Sequence, residues 1–219
     1  MIKGAVFDID GTLIDSMPIW EELGVRYLKG QGIRAEENLA EILFPMTIAE
    51  GVLYLKNHYG LPGSPEEIRQ GLTEITDAFY RYEVKAKAGV RQALDMLRER
   101  GIPMALATIG DPDLEEAALR RLGIWDYFDH MLVCEDYHTT KKEAVIYRAA
   151  AGKLGTVPEE TLVFEDVYQA VHAAAGDGFF VCAVADDASR ADRDRIMQEA
   201  DLFLEDFRQF HKIERLLEG

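Results

Sequence analysis

Residues 4–16 read GAVFDIDGTLIDS. A short apolar run, Gly4 to Phe7, leads straight into Asp8, Asp10 and the turn pair Gly11–Thr12. Such a run bounded by turn residues predicts a strand that ends at Asp8. Two carboxylates one residue apart repel each other, so a strand end that carries both calls for a cation or a proton to compensate them. The pattern also opens calcium loops, but those need glycine at the sixth position and glutamate at the twelfth. Here glycine is fourth from Asp8, and Ile19 holds the twelfth position.

Outward from this strand the chain has two textures. From about residue 88, apolar runs alternate with helical patterns. VRQALDMLRERG precedes PMALAT, PDLEEAALRRLG precedes YFDHMLVC, KEAVIYRAAAGKLG precedes TLVFED, and VYQAVHAAAGDG precedes FFVCAV. A last helix is predicted over EDFRQFHKIERLLEG, and VADDASRADRD reads as a solvated loop. Alternating strands and helices predict an α/β fold with a parallel sheet, and the continuous apolar strand runs suit a sheet covered by helices on both faces. Residues 16–85 read as helices only: IWEELGVRYLKGQG, ENLAEILF, TIAEGVLYLKNHYG and SPEEIRQGLTEITDAFYRYE. Ser64, Pro65 and Glu67 supply an N-cap, a first-turn proline and a capping-box partner. The expected organisation is an α/β core over 1–15 and 86–219, interrupted after its first strand by an all-helical insert over 16–85.

Ligands of open parallel sheets bind outside the carboxyl ends of the strands. Those ends deliver Asp8 and Asp10, then Thr108, then Lys141 or Lys142 beyond MLVC, then Glu165 and Asp166. Converging oxygen ligands suit a hard cation, Mg²⁺ in the first place, which keeps open positions for a phosphate oxygen. A lysine and a hydroxyl suit the remaining phosphate oxygens, so the edge reads as a phosphoryl-transfer site.

Composition narrows the partners. Across 219 residues, 48% are hydrophobic, 29% are charged, and the formal net charge is -16. That charge repels nucleic-acid backbones, so no nucleic-acid partner is expected; the phosphoryl-transfer site calls instead for a small phosphorylated metabolite. No apolar run approaches the roughly 20 residues of a membrane helix, and the N-terminus has no secretory pattern. Cys134 and Cys182, both in strand-like runs, read as buried hydrophobes of a reducing compartment. A cytoplasmic protein is expected, monomeric or dimeric.

The motifs together resemble the haloacid dehalogenase-like (HAD) superfamily. FDIDGTLIDS resembles its DxDGT motif, ALATIG its strand ending in a hydroxyl, TTKKEAVIY its lysine motif, and VFEDVYQAVHAAAGDGF its acidic motif. The resemblance implies a Rossmann-like core with a helical cap that closes over the site. It implies Asp8 as nucleophile forming an aspartyl-phosphate and Asp10 as proton shuttle. Thr108 and Lys141 would hold the phosphate, joined by Gly11, Thr12 and Ile109. Asp8, Asp166, Glu165 and the Asp10 carbonyl would surround Mg²⁺. Lys141 is preferred over Lys142 because Tyr147 then falls on the family's aromatic position. The chain departs from the family at Val167 and Ala170, which replace a small hydroxyl residue and a glycine, and at KAKAGV, which lacks a proline.

Within the superfamily, the second aspartate argues against dehalogenation. β-Phosphoglucomutases use a cap histidine and a cap arginine, and the matching regions here hold Ile19-Trp20-Glu21 and Ile48. Phosphatase activity on a small phosphomonoester is therefore expected first, mutase activity second, and a non-catalytic phosphometabolite-binding role third. Phe44, Met46, Tyr54 and Tyr80 are candidate pocket residues of the insert, and Arg26, Lys56 and Arg81 are candidate readers of a second anionic group.

Overall fold

The computed structural model describes the backbone of residues 1–217. Its strands are β1 (Gly4–Phe7), β2 (Met104–Thr108), β3 (His130–Val133), β4 (Thr161–Glu165), β5 (Phe180–Val184) and β6 (Leu202–Leu204). All pair in parallel, in the spatial order β3-β2-β1-β4-β5-β6. The chain runs outward from β1 in one direction through β2 and β3, then returns to the other side of β1 at β4. The order thus reverses between β1 and β4, which opens a crevice beyond their carboxyl ends.

Strand alternation sorts the side chains onto two faces. Val6, Ala105, Val163 and Val181 pack on one side with Ile146, Tyr147 and Ala150 of α7 (Val145–Leu154) and Val171 and Ala174 of α8 (Tyr168–Gly176). Phe7 and Phe164, one residue on, face the other side and stack with ring centroids 4.3 Å apart. Phe207 and Phe210 join that stack near the C-terminus. Sealing both faces is what makes the strand runs continuously apolar.

The chain divides into two compact units, one of Met1–Asp15 with Lys85 onward and one of Ser16–Val84. The second unit is entirely helical: α1 (Pro18–Gly30), α2 (Leu39–Leu43), α3 (Ile48–Tyr59), α4 (Pro65–Ala78) and a π-helical turn at Phe79–Glu83. Its core comprises Leu23, Tyr27, Leu28, Leu39, Val52, Leu55, Leu61, Ile68 and Leu72. α4 begins with the Ser64–Glu67 capping box and Pro65, and α3 has a second box, Thr47–Glu50. In the first unit, Asp15 N–H donates to the Lys85 carbonyl at 2.9 Å, fastening the chain's exit to its return.

The remaining helices are α5 (Val90–Glu99), α6 (Pro112–Arg121), α9 (Arg193–Glu199) and α10 (His211–Leu217). Four points need correction. The closing segment is a 3₁₀ turn at Phe207–Gln209 followed by α10, not one helix. β6 and α9 were not anticipated, because a three-residue strand is too short for periodicity and α9 buries only Ile196. Within the stretch read as a solvated loop, the Asp186 carboxylate is nearly buried and pairs with Lys87 at 2.7 Å, and Asp187–Asp192 form a 3₁₀ turn. Cys134 is buried but lies in a 3₁₀ turn after β3 rather than in the strand. Among the described residues no helix is long and apolar enough to cross a membrane.

Candidate active site

β1 and β4 end level with each other, with Phe7 opposite Phe164 and the Asp8 N–H donating to the Phe164 carbonyl at 3.0 Å. Asp8 and Glu165 follow Val6 and Val163 by two residues, so both carboxylates point toward the α7 side of the sheet. There they meet Lys141. Its ammonium donates to Asp8 Oδ1 and, at 2.6 Å, to Glu165 Oε1. The Tyr147 hydroxyl of α7 donates to the same Glu165 oxygen at 2.7 Å. Lys142, in contrast, is exposed.

Asp8, Glu165 and Asp166 each present a carboxylate oxygen within 4.8 Å of the others, all three buried. Asp8 Oδ2 has no hydrogen-bond partner among the described residues. Thr12 donates to Asp166 Oδ1 at 3.2 Å. Gly11 has φ +83°, and a Cβ there would collide with the Asp166 carboxylate, so only glycine lets the turn pass this close. Ile109 is exposed at the end of β2, and Asp10 is only partly exposed.

Electrostatics follow from burial. Burial alone would lower the Lys141 value, but Asp8 and Glu165 outweigh it and keep the ammonium firmly charged. Burial pushes Glu165 up to about 7; Lys141 pulls it down and Asp8 raises it. Asp166 is raised well above the usual carboxylate range by burial and by Asp8 and Glu165. One lysine does not neutralise three converging carboxylates. The all-oxygen donor set and the orphaned Asp8 Oδ2 fit a hard divalent cation.

Thr108 follows Leu106 by two residues and so faces away from α7. Its hydroxyl donates to Glu115 Oε1 of α6 at 2.6 Å and accepts from the Gly110 N–H at 2.9 Å. Glu115 is wholly buried and is the site residue that sequence reasoning missed. Its signal was there: Glu115, Ala118 and Leu119 share the inward stripe of α6, and a glutamate on such a stripe needs a partner. Burial, then Asp10 and Asp8, push the Glu115 carboxyl up to about 9. An acid that holds its proton more tightly when folded stabilises the protein at low pH, and that contribution fades as pH rises from about 4.5 to about 9. In EDTA-treated protein, Glu115→Gln should therefore match wild type near pH 5 and exceed it at pH 8, by up to about 4 kcal/mol. Thermal melts at the two pH values check this; a constant difference would contradict it.

In the helical unit, the candidate cations are already engaged. Arg26 bonds Glu83 at 2.7 Å and lies over Phe79, Arg81 bonds Asp77 at 2.9 Å, and Lys56 donates to backbone carbonyls of Leu61 and Gly63. The Tyr54 hydroxyl donates to Glu36 at 2.9 Å, Tyr80 is buried, and Phe44 is 87% exposed.

Fold, site and motif order define a class, and similarity to known proteins agrees. The profile of the haloacid dehalogenase-like hydrolases matches residues 2–178. The chain belongs to that family, and it is an enzyme of the phosphatase class. It is 29% identical over 177 residues to a phosphorylated carbohydrates phosphatase of Thermotoga maritima, covering 81% of this chain and 82% of that protein. It is 29% identical over 209 residues to hexitol phosphatase A of Escherichia coli, covering 94% and 92%. A solved T. maritima structure, provisionally titled a β-phosphoglucomutase, superposes with TM-score 0.88 at 25% identity, covering 98% of this chain and all of that one.

Proposed function

We propose that the chain is an Mg²⁺-dependent phosphatase that hydrolyses a small phosphomonoester through an aspartyl-phosphate on Asp8. The observation that carries this reading is the Asp8 carboxylate itself. One oxygen is held by Lys141, the other has no hydrogen-bond partner among the described residues, and the group stands at the switch point of the sheet.

The residues divide the work as follows. An Asp8 oxygen attacks phosphorus, the bond to the ester oxygen breaks, and Asp10 donates a proton to the departing alcohol. Water then attacks the phosphorus of the aspartyl-phosphate while Asp10 takes its proton back, releasing phosphate and restoring Asp8. Lys141 offsets charge at Asp8 and, with the Thr108 hydroxyl and the backbone around Gly11, Thr12 and Ile109, receives the phosphoryl oxygens. Asp8, Asp166 and the Asp10 carbonyl would hold Mg²⁺, with Glu165 a further ligand or an acceptor beside them. The bound ion would neutralise the carboxylates and the phosphoryl charge. Tyr147 and Lys141 both bond Glu165 and so keep it in place.

The names of the relatives support a phosphorylated carbohydrate or polyol as substrate. A mutase reading draws its support from the likeness to solved structures whose titles name β-phosphoglucomutase, in the T. maritima case provisionally. Against it, Ile19 is buried and Ile48 is an exposed aliphatic residue, so neither supplies the cap histidine or arginine that the resemblance would require. The test is phosphate release from p-nitrophenyl phosphate and a panel of sugar and polyol phosphates. Release with Mg²⁺, and at least about 100-fold less with EDTA, is expected. Isomerisation of a sugar phosphate that depends on a bisphosphate, without net phosphate release, would replace the phosphatase reading with the mutase one.

A further inference from the structure

Behind Thr108 the structure holds a buried polar arrangement that the proposed chemistry does not use directly. Thr108 Oγ1 has one proton and two lone pairs to share. Gly110 N–H occupies one lone pair, and Glu115 Oε1, at 2.6 Å, occupies a second direction. One direction is left for a ligand. Gly110 makes this possible, since a Cβ there would collide with Glu115 Oε1 and lie 3.0 Å from Asp10 Oδ2. The second Glu115 oxygen is buried and has no hydrogen-bond partner among the described residues. A buried carboxyl engaged through one oxygen is costly to keep, and among the described residues it is engaged by the strand-end hydroxyl alone.

We propose that Glu115 is a positioning residue: it fixes the Thr108 hydroxyl so that its remaining hydrogen-bonding direction is presented to a phosphoryl oxygen. This rests on the reading of Thr108 as a phosphate-binding residue. Glu115 sits on α6 and never meets the ligand in this scheme; it acts through Thr108 alone. Burial favours its neutral acid form. When Glu115 is protonated the 2.6 Å bond reverses: the acid donates to Thr108 Oγ1, and the hydroxyl proton that an ionised Glu115 would take is freed for the ligand. The groups around it are Asp10, Asp8 and Lys141, which supply the surrounding charge, and Thr108, which supplies the hydrogen bond.

The proposal is tested by a double-mutant cycle on inorganic phosphate affinity, measured calorimetrically with Mg²⁺ present, so that turnover is not needed. Glu115→Met keeps the volume and removes the hydrogen-bonding atoms; Thr108→Val does the same for the hydroxyl. Each should weaken phosphate binding about 10-fold, and the double variant should be no more than about twice as weak as either single one. Glu115→Gln, which still donates or accepts, should stay within about threefold of wild type. The inference is overturned if Glu115→Met binds phosphate as well as wild type, or costs the same factor with and without the Thr108 hydroxyl. Loss in Glu115→Gln equal to that in Glu115→Met would overturn it too, as would wild-type protein that binds no phosphate. Should Glu115→Met fail to fold, Glu115→Ala takes its place in the cycle. Phosphate binding that shows the coupling, in a protein that hydrolyses no phosphomonoester, would sink the phosphatase reading and leave this one standing.

Discussion

Asp8→Asn should lower phosphomonoester hydrolysis by at least about 10⁴-fold while leaving the protein folded. The substitution keeps the shape of the side chain and replaces the attacking oxygen with an amide, which is not a nucleophile toward phosphorus. Thr108, Lys141 and Asp10 would still bind and orient the ester, but no covalent intermediate could form. Stability should not suffer. Asp8, Glu165 and Asp166 lie within 4.8 Å of one another, and removing one negative charge relieves repulsion among them. The melting temperature in EDTA should therefore equal or exceed that of wild type. Initial rates with p-nitrophenyl phosphate and a thermal melt measure both halves. Retained turnover would remove Asp8 from its role.

Lys141→Met should be costly twice over. Lys141 is the only buried lysine or arginine among the described residues, and it bonds both Asp8 and Glu165. Breaking a buried ion pair from one side leaves uncompensated charge, typically a loss of about 3–5 kcal/mol, or roughly 10 °C in a protein of this size. The deficit should depend on pH. Glu165, at about 7 with the lysine present, moves higher without it, so below pH 6 it is protonated in the variant and little is lost. As pH rises past 7 the carboxylate must either ionise beside Asp8 or hold its proton at a cost, and the deficit grows. Activity should fall at least about 10³-fold, because charge at the phosphoryl group and at Asp8 is no longer offset. Lys142→Met is the control: the side chain is exposed, and both stability and rate should stay within about twofold. Comparable losses in both variants would mean that the lysine of the site has been misassigned.

The fold was legible where local physics and tertiary structure agree. The strand of Gly4–Phe7, the alternation after residue 88, and the Ser64–Glu67 capping box are short-range signals that survive folding unchanged. β6 and α9 were not legible, because three residues of strand and one buried isoleucine carry almost no periodicity. β6 exists because it pairs with β5, with Cys182 opposite Leu202 and the Asp201 carboxylate accepting from the Val181 N–H at 2.8 Å. Asp186 looked like solvated loop because its partner, Lys87, is distant in sequence.

The same division runs through the site. From the chain alone one could place Asp8, Asp10, Thr108, Glu165 and Asp166 at strand ends, because apolar runs stop where those residues begin and open parallel sheets bind at that edge. Sequence alone also argued for a hard cation, since only oxygen donors converge there. The resemblance favoured Lys141 over Lys142, but what turns one of two adjacent lysines inward, and which helical glutamate meets Thr108, are matters of tertiary structure. Those choices depend on which face of the sheet a side chain leaves, and on how closely α6 and α7 approach it. A buried polar group settles beside whatever partners it, and for Lys141 and Glu115 the partners lie on different elements of the chain.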